Sequence, residues 1–255
     1  DTKFQFVSSG EADNLEFRIS QLLRRDQTSK THLEFSIIKK HSTSFIDDTE
    51  IEVQRKYTTA ARLGIAHRRY VGQMTADVSL AVQQGVPWCG AQDDPADLTP
   101  GNPTTRYTLW VLDAVLTTPV NIGPAEARYH AALRAQYTGD MLYGAEYFSI
   151  GNRYTVRGFD GEQTLYAEQG WYLQNELSIP LRKTGMEVYA GLDCGQVSGP
   201  GIAYLPGRTL AGAVIGLRGG TAALQYDVFV GWPLHKPDGF ATATPTVGFQ
   251  TFYQF

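Results

Sequence analysis

RYHAALRAQY, residues 128–137, alternates apolar and polar side chains with a period of two. One face carries Tyr129, Ala131, Leu133, Ala135 and Tyr137, and the other carries Arg128, His130, Arg134 and Gln136. Successive side chains of a β-strand point to opposite faces of the sheet, so this period is typical of a strand. The segment is therefore predicted to be a strand with one apolar side and one polar side.

The same alternation recurs along most of the chain. WYLQNELSIPL at residues 171–181 and LQYDVFVGW at residues 224–232 both place apolar side chains at every second position. Similar strands are predicted to start near Asn14, Thr31, Glu52, Val71, Arg106, Met186 and Thr209. With a short piece at the start and a last strand, these make about twelve strands, a density typical of an all-β barrel or sandwich.

The composition limits the classes of protein that the chain can represent. Its 255 residues suit one large all-β domain or one to two ordinary domains. The net charge of −4 is too small to indicate a nucleic-acid partner. Cys89 and Cys194 do not suggest a disulfide scaffold, and the five histidines show no metal-ligand spacing. No serine has the context of a catalytic nucleophile, so we predict no enzyme activity, no metal and no cofactor.

The length and polarity of the strands favour a membrane barrel over a soluble sandwich. The predicted strands run for about ten residues, which suits a tilted crossing of a bilayer, whereas soluble strands are shorter. Their polar faces carry charges, as if lining a wet lumen, at Arg128, Arg134, Glu176, Glu187, Asp193 and Asp227. Aromatic residues cluster near strand ends, as in interfacial girdles, at Tyr107, Tyr129, Tyr137, Trp171, Trp232 and Tyr253. A soluble β-sandwich that acts as a binding module is the alternative.

The connections between the predicted strands alternate in length. The segments IDDTE, CGAQDDPADLTPGNPT, SGPGIAYLPGR and HKPDGFATATP are moderate or long, whereas HRRY, NIGPAE, RKTG and RGGT are short. The longest connection contains YFSIGNRYTVRGFDGE, residues 147–162, and far exceeds a hairpin loop. Outer-membrane barrels have short turns at one end and longer loops at the other, an alternation that a sandwich does not require.

The closing segment TVGFQTFYQF, residues 246–255, places Val247, Phe249, Tyr253 and Phe255 on one face. A terminal phenylalanine after alternating apolar residues resembles the signal that the outer-membrane assembly machinery reads. Tyr253 and Phe255 are therefore predicted to form an assembly signal. An ordinary last strand that ends in phenylalanine is the alternative.

Several motifs resemble one known family. IGNRYTVRGFDGE at residues 150–162, followed by EQGWYLQNELSIPL at residues 168–181, is similar to the two-partner secretion transporters of Gram-negative outer membranes. The likeness is closest to the transporters of filamentous haemagglutinin and of contact-dependent inhibition toxins. The same family is also resembled by three further segments, IDDTEIEVQRK, LAGAVIGLRGG and YDVFVGWPLHKPDGF. Val156, Arg157, Gly158 and Phe159 match the loop-tip motif of the wider superfamily, which includes barrel-assembly insertases.

The resemblance implies an all-β fold, an antiparallel transmembrane β-barrel of the outer membrane with a long loop folded into the lumen. Family members carry a plug helix, two POTRA domains and roughly sixteen strands, an even number as in bacterial barrels. Residues 1–255 are therefore expected to be the barrel portion, without the plug helix, the POTRA domains and the first strands.

The implied function is that of a pore that secretes a large, β-helical exoprotein such as an adhesin, a haemolysin or a contact-dependent toxin. The expected partners are this exoprotein, outer-membrane lipid and the barrel-assembly machinery, with no nucleic acid. A barrel-assembly insertase of the same superfamily and a general diffusion porin are the alternatives within membrane barrels.

The resemblance also explains the long loop, whose tip arginine is expected to pair with an aspartate of a Gly-x-Asp motif on the inner wall. Here that motif is GLDCG, residues 191–195, and the alternation of the strand points Gly191 and Asp193 inward. The guanidinium of Arg157 can hold a carboxylate with two parallel hydrogen bonds. Gly158 suits a tight turn, and Gly191 leaves room for the loop. A solvated arginine and an ordinary lumen charge are the alternative.

Deletion of Phe255 is expected to lower the yield of membrane-inserted barrel, because the terminal aromatic residue resembles the assembly signal. The measurement is the amount of folded protein in isolated outer membranes, with total synthesis unchanged as the control. Normal insertion of the truncated chain would remove this role from Phe255.

Overall fold

The computed structural model describes residues 7–99, 101–181, 184–221 and 223–254. Its strands are β1 (Ser8–Arg25), β2 (Ser29–Ile46), β3 (Thr49–Glu50), β4 (Lys56–Val71), β5 (Met74–Gly85), β6 (Thr108–Ile122), β7 (Ala125–Thr138), β8 (Phe148–Ile150), β9 (Leu165–Ala167), β10 (Gln169–Leu181), β11 (Met186–Ser198), β12 (Thr209–Gly220), β13 (Leu224–His235) and β14 (Thr246–Tyr253).

Eleven of these strands follow one another in a single antiparallel sheet within the described residues, in the order β1-β2-β4-β5-β6-β7-β10-β11-β12-β13-β14. The short β3 pairs with the end of β2, and β8 pairs with β9 in a separate hairpin. The prediction of an all-β antiparallel fold is confirmed, and the count of sheet strands agrees with the expected twelve when β3 is included.

The sheet curls around the connection between β7 and β10, residues 139–168. Glu146 in this connection forms an ion pair with Lys40 of β2, near one edge of the sheet. Arg153 in the same connection donates a hydrogen bond to the carbonyl oxygen of Phe249 in β14, at the other edge. Because strands near both edges reach one connection, the sheet forms the wall of a barrel with this connection inside it.

Within the described residues, most strands of the main sheet are longer than the predicted ten residues, and β1 and β2 reach 18 residues each, whereas β14 has eight. HRRY, which was expected to be a turn, lies inside β4, and the turn between β4 and β5 consists of Gly72 and Gln73. Gly72 has a φ of 60°. A two-residue hairpin turn needs residues with positive φ, which glycine adopts without steric cost, so the chain turns there.

The connections alternate in length as predicted. The short ones join β1 to β2, β4 to β5, β6 to β7, β10 to β11 and β12 to β13, and the long ones join β2 to β4, β5 to β6, β7 to β10, β11 to β12 and β13 to β14. Neighbouring strands are antiparallel, so all short turns lie at one end of the wall and all long loops at the other. We call the end with the long loops the outer end.

The two faces of the sheet differ in polarity. Apolar side chains on the outer face are exposed, among them Leu63, Leu80, Leu192, Ile215, Val228, Val247 and Phe249. Tyr137, Trp171 and Trp232 lie exposed on this face near the outer end, as in an aromatic girdle. On the inner face Glu176 and Asp193 are buried, and Arg134 forms an ion pair with Asp113 at 3.3 Å.

Tyr107 does not belong to the girdle in which it was expected. Its side chain is buried with Leu109, Val111 and Leu142, and its hydroxyl accepts a hydrogen bond of 2.8 Å from the side-chain amide of Gln83. Tyr107 precedes β6 and points to the interior, whereas Trp110 in β6 is exposed on the outer face.

Tyr253 is the last residue of β14 and is exposed, whereas Phe255 lies outside the described residues. Among the residues that the structure describes, no helix is long and apolar enough to span a membrane.

Replacement of Leu192 by arginine is expected to destabilise the folded barrel. Leu192 is 60% exposed at the middle of β11 on the apolar outer face. A charge on the lipid face near the bilayer midplane costs about 2–4 kcal/mol. The measurement is the urea midpoint of unfolding in lipid vesicles, with Leu192→Ala as the uncharged control at the same site. Equal midpoints for the two variants would place Leu192 away from lipid.

Candidate functional site

The connection between β7 and β10, residues 139–168, forms a loop inside the barrel, which we call the lumen loop. It contains the small hairpin of β8 and β9. Its apolar side chains pack with residues of β11, β12 and an outer loop in one buried cluster, formed by Phe148, Ile150, Val156, Phe159, Leu165, Ala167, Val197, Leu210 and Phe240. Burial of this much apolar surface stabilises the loop against the wall.

The apolar residues of the tip are fully enclosed. Val156 is 0% exposed, and Phe159 is 1% exposed and meets the ring of Phe240 edge to face at 5.7 Å between centroids. Aromatic pairs prefer this edge-to-face arrangement. The tip therefore approaches the wall with two side chains that water does not reach, one on each side of the segment formed by Arg157 and Gly158.

Arg157 holds the carboxylate of Asp193 with two groups of its side chain and with its backbone. The distances to Asp193 are 2.7 Å from Nε to Oδ2, 2.9 Å from Nη2 to Oδ1 and 3.0 Å from the backbone nitrogen to Oδ2. This is the two-pronged geometry in which a guanidinium binds a carboxylate most strongly. The backbone N–H adds a contact that fixes the loop itself, and not only its side chain, to β11.

A second carboxylate, which the sequence indicated only as a lumen charge, also binds Arg157. Glu176 of β10 accepts a hydrogen bond from Nη1 of Arg157 at 2.5 Å. Its other oxygen pairs with Nη1 of Arg218 at 2.7 Å, and Arg218 pairs in turn with Glu187. Negative and positive side chains thus alternate from Asp193 to Glu187. Of these five charged groups, Arg157 belongs to the lumen loop and the other four belong to the wall.

Burial makes this arrangement sensitive to the loss of a partner. The side chain of Arg157 is 12% exposed, that of Glu176 is 7% exposed and that of Asp193 is 0% exposed. Burial disfavours the charged guanidinium, but the hydrogen bonds and charges of Asp193 and Glu176 outweigh this effect and raise the pKa of Arg157. The arginine therefore stays charged. Without it, Asp193 would lose the cation of its ion pair, whereas Glu176 would keep Arg218.

Glycines on the inner wall let the tip approach this closely. A Cβ added at Gly191 would lie 2.5 Å from Nη2 of Arg157, and one added at Gly212 would lie 1.9 Å from the carbonyl oxygen of Arg157. Gly158 itself has a φ of 102°, and a Cβ there would lie 2.5 Å from the carbonyl oxygen of Trp232. Only glycine can adopt this positive φ while its Cα lies so close to the backbone of Trp232.

The structure brings together the predicted loop-tip residues 156–159 with Gly191 and Asp193 on β11. Sequence reasoning missed Glu176 as a partner of Arg157 and missed Gly212 altogether. Both could have been found from the strand register, since Glu176 lies opposite Gly191 and Gly212 lies opposite Asp193. The structure places Tyr253 at the end of β14, opposite Leu224 of β13.

Comparison with known proteins identifies relatives over most of the chain. The family model described as "Haemolysin secretion/activation protein ShlB/FhaC/HecB" matches residues 1–219. The outer membrane transporter CdiB-2 of Burkholderia pseudomallei (strain 1026b) is 40% identical over 254 residues, which cover 98% of this chain and 43% of that protein. The hemolysin transporter protein ShlB of Serratia marcescens is 28% identical over 229 residues, which cover 88% of this chain and 40% of that protein.

The fold also matches a solved structure. CdiB from Acinetobacter baumannii superimposes with a TM-score of 0.85 at 29% sequence identity, over 99% of this chain and 44% of that one. The chain thus spans less than half the length of the relatives that it matches. These relatives confirm the outer-membrane location and the β-barrel class that the sequence predicted. The chain belongs to the haemolysin secretion/activation family ShlB/FhaC/HecB.

Proposed function

We propose that residues 1–255 form the barrel portion of an outer-membrane pore that secretes a large exoprotein in extended form. The family membership supports this function, because the relatives described above are named as transporters. The observation within the molecule that carries the proposal is the lumen loop, whose tip is held on the inner wall by Arg157, Asp193 and Glu176. The loop acts as a gate that must be seated correctly for transport.

The polarity of the lumen suits an extended polypeptide as the transported molecule. An extended chain exposes its backbone N–H and C=O groups, which are costly to transfer into an apolar environment. The inner wall offers charged side chains away from the loop tip, such as Arg134, Asp113 and Arg62. The passing chain can exchange hydrogen bonds with such groups and with water, while the apolar outer face keeps the barrel in the bilayer.

The remaining assignments belong to the same proposal. The partners are the secreted exoprotein, outer-membrane lipid and, during biogenesis, the barrel-assembly machinery. The chain works without cofactor and without catalysis, and folding of the exoprotein outside the cell supplies the direction of transport.

A general diffusion porin and a barrel-assembly insertase are the rival functions. A porin has no need of a loop tip that is held on the wall by a buried ion pair, and it shows steady, large conductance. An insertase promotes the folding of other barrels and does not require an exoprotein. Reconstitution of the full-length protein in vesicles separates the three, because only a secretion pore transfers the exoprotein across the bilayer without inserting it.

Arg157→Ala and Asp193→Ala are each expected to impair secretion of the exoprotein while leaving insertion of the barrel intact. Removing one partner of a well-buried ion pair costs about 3–5 kcal/mol, whereas an exposed pair contributes roughly 0–1 kcal/mol. The burial of Arg157 and Asp193 places this pair toward the first limit. The double variant should be little worse than Arg157→Ala, because both substitutions remove the same interaction. The assay is secreted exoprotein normalised to barrel in the membrane.

Two further variants serve as controls. Arg157→Lys keeps the charge but cannot form the two parallel hydrogen bonds, so it should restore only part of the activity. Arg153→Ala removes an arginine of the same loop that contacts β14, and it should retain more activity than Arg157→Ala. Wild-type secretion by Arg157→Ala or by Asp193→Ala, or fully additive losses in the double variant, would contradict a shared docking interaction.

A further inference from the structure

The start of the lumen loop contacts a part of the wall that differs from the part bound by its tip. We call residues 141–147 the loop base. Leu142 is 0% exposed and packs with Tyr107, Leu109 and Val111 at the outer end of β6. The backbone N–H of Thr104, in the long connection before β6, donates a hydrogen bond of 3.0 Å to the carbonyl oxygen of Met141. The loop base is therefore a packed element of the barrel interior.

Glu146 carries the polar contacts of the loop base. Its carboxylate accepts hydrogen bonds from Nζ of Lys40 in β2 at 2.5 Å and from the side-chain amide of Gln83 in β5 at 3.2 Å. Its carbonyl oxygen accepts a hydrogen bond of 2.8 Å from the side chain of Gln136 in β7. The Glu146 side chain is 11% exposed and that of Lys40 is 29% exposed, so solvent screens this pair only in part.

A cation–π contact extends the loop base to β4. Nζ of Lys56 lies 4.7 Å from the ring centroid of Tyr143, a distance at which an ammonium group is attracted to an aromatic face. Lys40, Lys56 and Gln83 come from β2, β4 and β5, which lie side by side in the sheet. The loop base thus spans the wall from β2 to β7, whereas Arg157 at the loop tip binds β10 and β11.

The contacts of the loop base and of the loop tip share no residue. Arg157 binds Asp193 and Glu176 on β11 and β10, whereas Glu146 binds groups on β2, β5 and β7. The two sets therefore lie on different parts of the wall. No hydrogen bond of one set therefore involves a residue of the other set.

We propose that Lys40 and Glu146 are positioning residues that hold the loop base as a second, independent anchor of the lumen loop at the outer end of the barrel. When the tip leaves Asp193, the loop swings about this anchor and stays attached to the β2–β7 part of the wall. Release of the loop base is a separate event that widens the outer mouth. This inference rests on the proposed function only for the use of the gate, and not for the existence of the anchor.

The first test is zero-length cross-linking of the full-length protein in vesicles with a water-soluble carbodiimide. The reagent joins an amine to a carboxylate in direct contact with loss of one water, so the wild type should yield a Lys40–Glu146 amide detectable by mass spectrometry. Arg157→Ala should give the same yield, because the loop base does not depend on the tip. Loss of the cross-link in Arg157→Ala, to the level of a Lys40→Met blank, would overturn the independence of the two anchors.

The second test is single-channel recording of the same protein in planar bilayers, which needs no exoprotein. Lys40→Met and Glu146→Gln should each raise the open probability about tenfold, equivalent to about 1.4 kcal/mol. The charge-reversed pair Lys40→Glu with Glu146→Lys should return the open probability toward that of the wild type. Such rescue would not follow if the single variants merely failed to fold.

Lys39→Met is the matched control, since Lys39 is the neighbour of Lys40 on the opposite face of β2. It should leave the open probability unchanged. An unchanged open probability in both single variants, or an equal rise in Lys39→Met, would overturn the role of Lys40 and Glu146. A failure of secretion with an intact cross-link and the expected channel recordings would count against the proposed function alone.

Discussion

A single guanidinium enclosed between two carboxylates organises the interior of this barrel. Arg157 arrives on the lumen loop, whereas Asp193 and Glu176 belong to the wall. A buried ion pair of this kind contributes little net stability, because the desolvation of both charges offsets their attraction. Its effect is on placement, since the side chain and the backbone N–H of Arg157 both bind Asp193 and so fix the position of the loop tip. The other contacts of the tip, such as those of Val156 and Phe159, follow from that placement.

Much of this arrangement could be predicted from the sequence, because two simple periodic signals carry it. The alternation in residues 128–137, and in the segments like it, indicated strands with one apolar and one polar face, and this alternation also pointed Asp193 inward. The alternation of short and long connections indicated a barrel rather than a sandwich. The resemblance of the loop-tip motif to a known family then named Arg157 and Asp193 together.

The features that were missed depend on register or on segments without periodicity. Glu176 and Gly212 meet Arg157 because of the way in which β10, β11 and β12 are aligned, and an alternating pattern does not specify that alignment. Tyr107 was misplaced because its position near a strand end suggested a girdle residue, whereas it alternates with Leu109 and Val111 on the inner face. The loop base was missed because Leu142 and Glu146 lie in an irregular connection whose contacts come from strands far away in the sequence.

The arrangement of the inner-wall glycines has a consequence for how the barrel is assembled. Gly191 and Gly231 both lie opposite Val214, and Gly212 lies opposite Asp193 in the next inward-facing row. A slip of one strand by two residues would keep every side chain on its proper face, so the apolar pattern alone does not penalise it. It would, however, separate Gly212 from Asp193 and close the space that the loop tip occupies. Seating of the lumen loop therefore depends on the alignment of these strands, and not only on their apolar pattern.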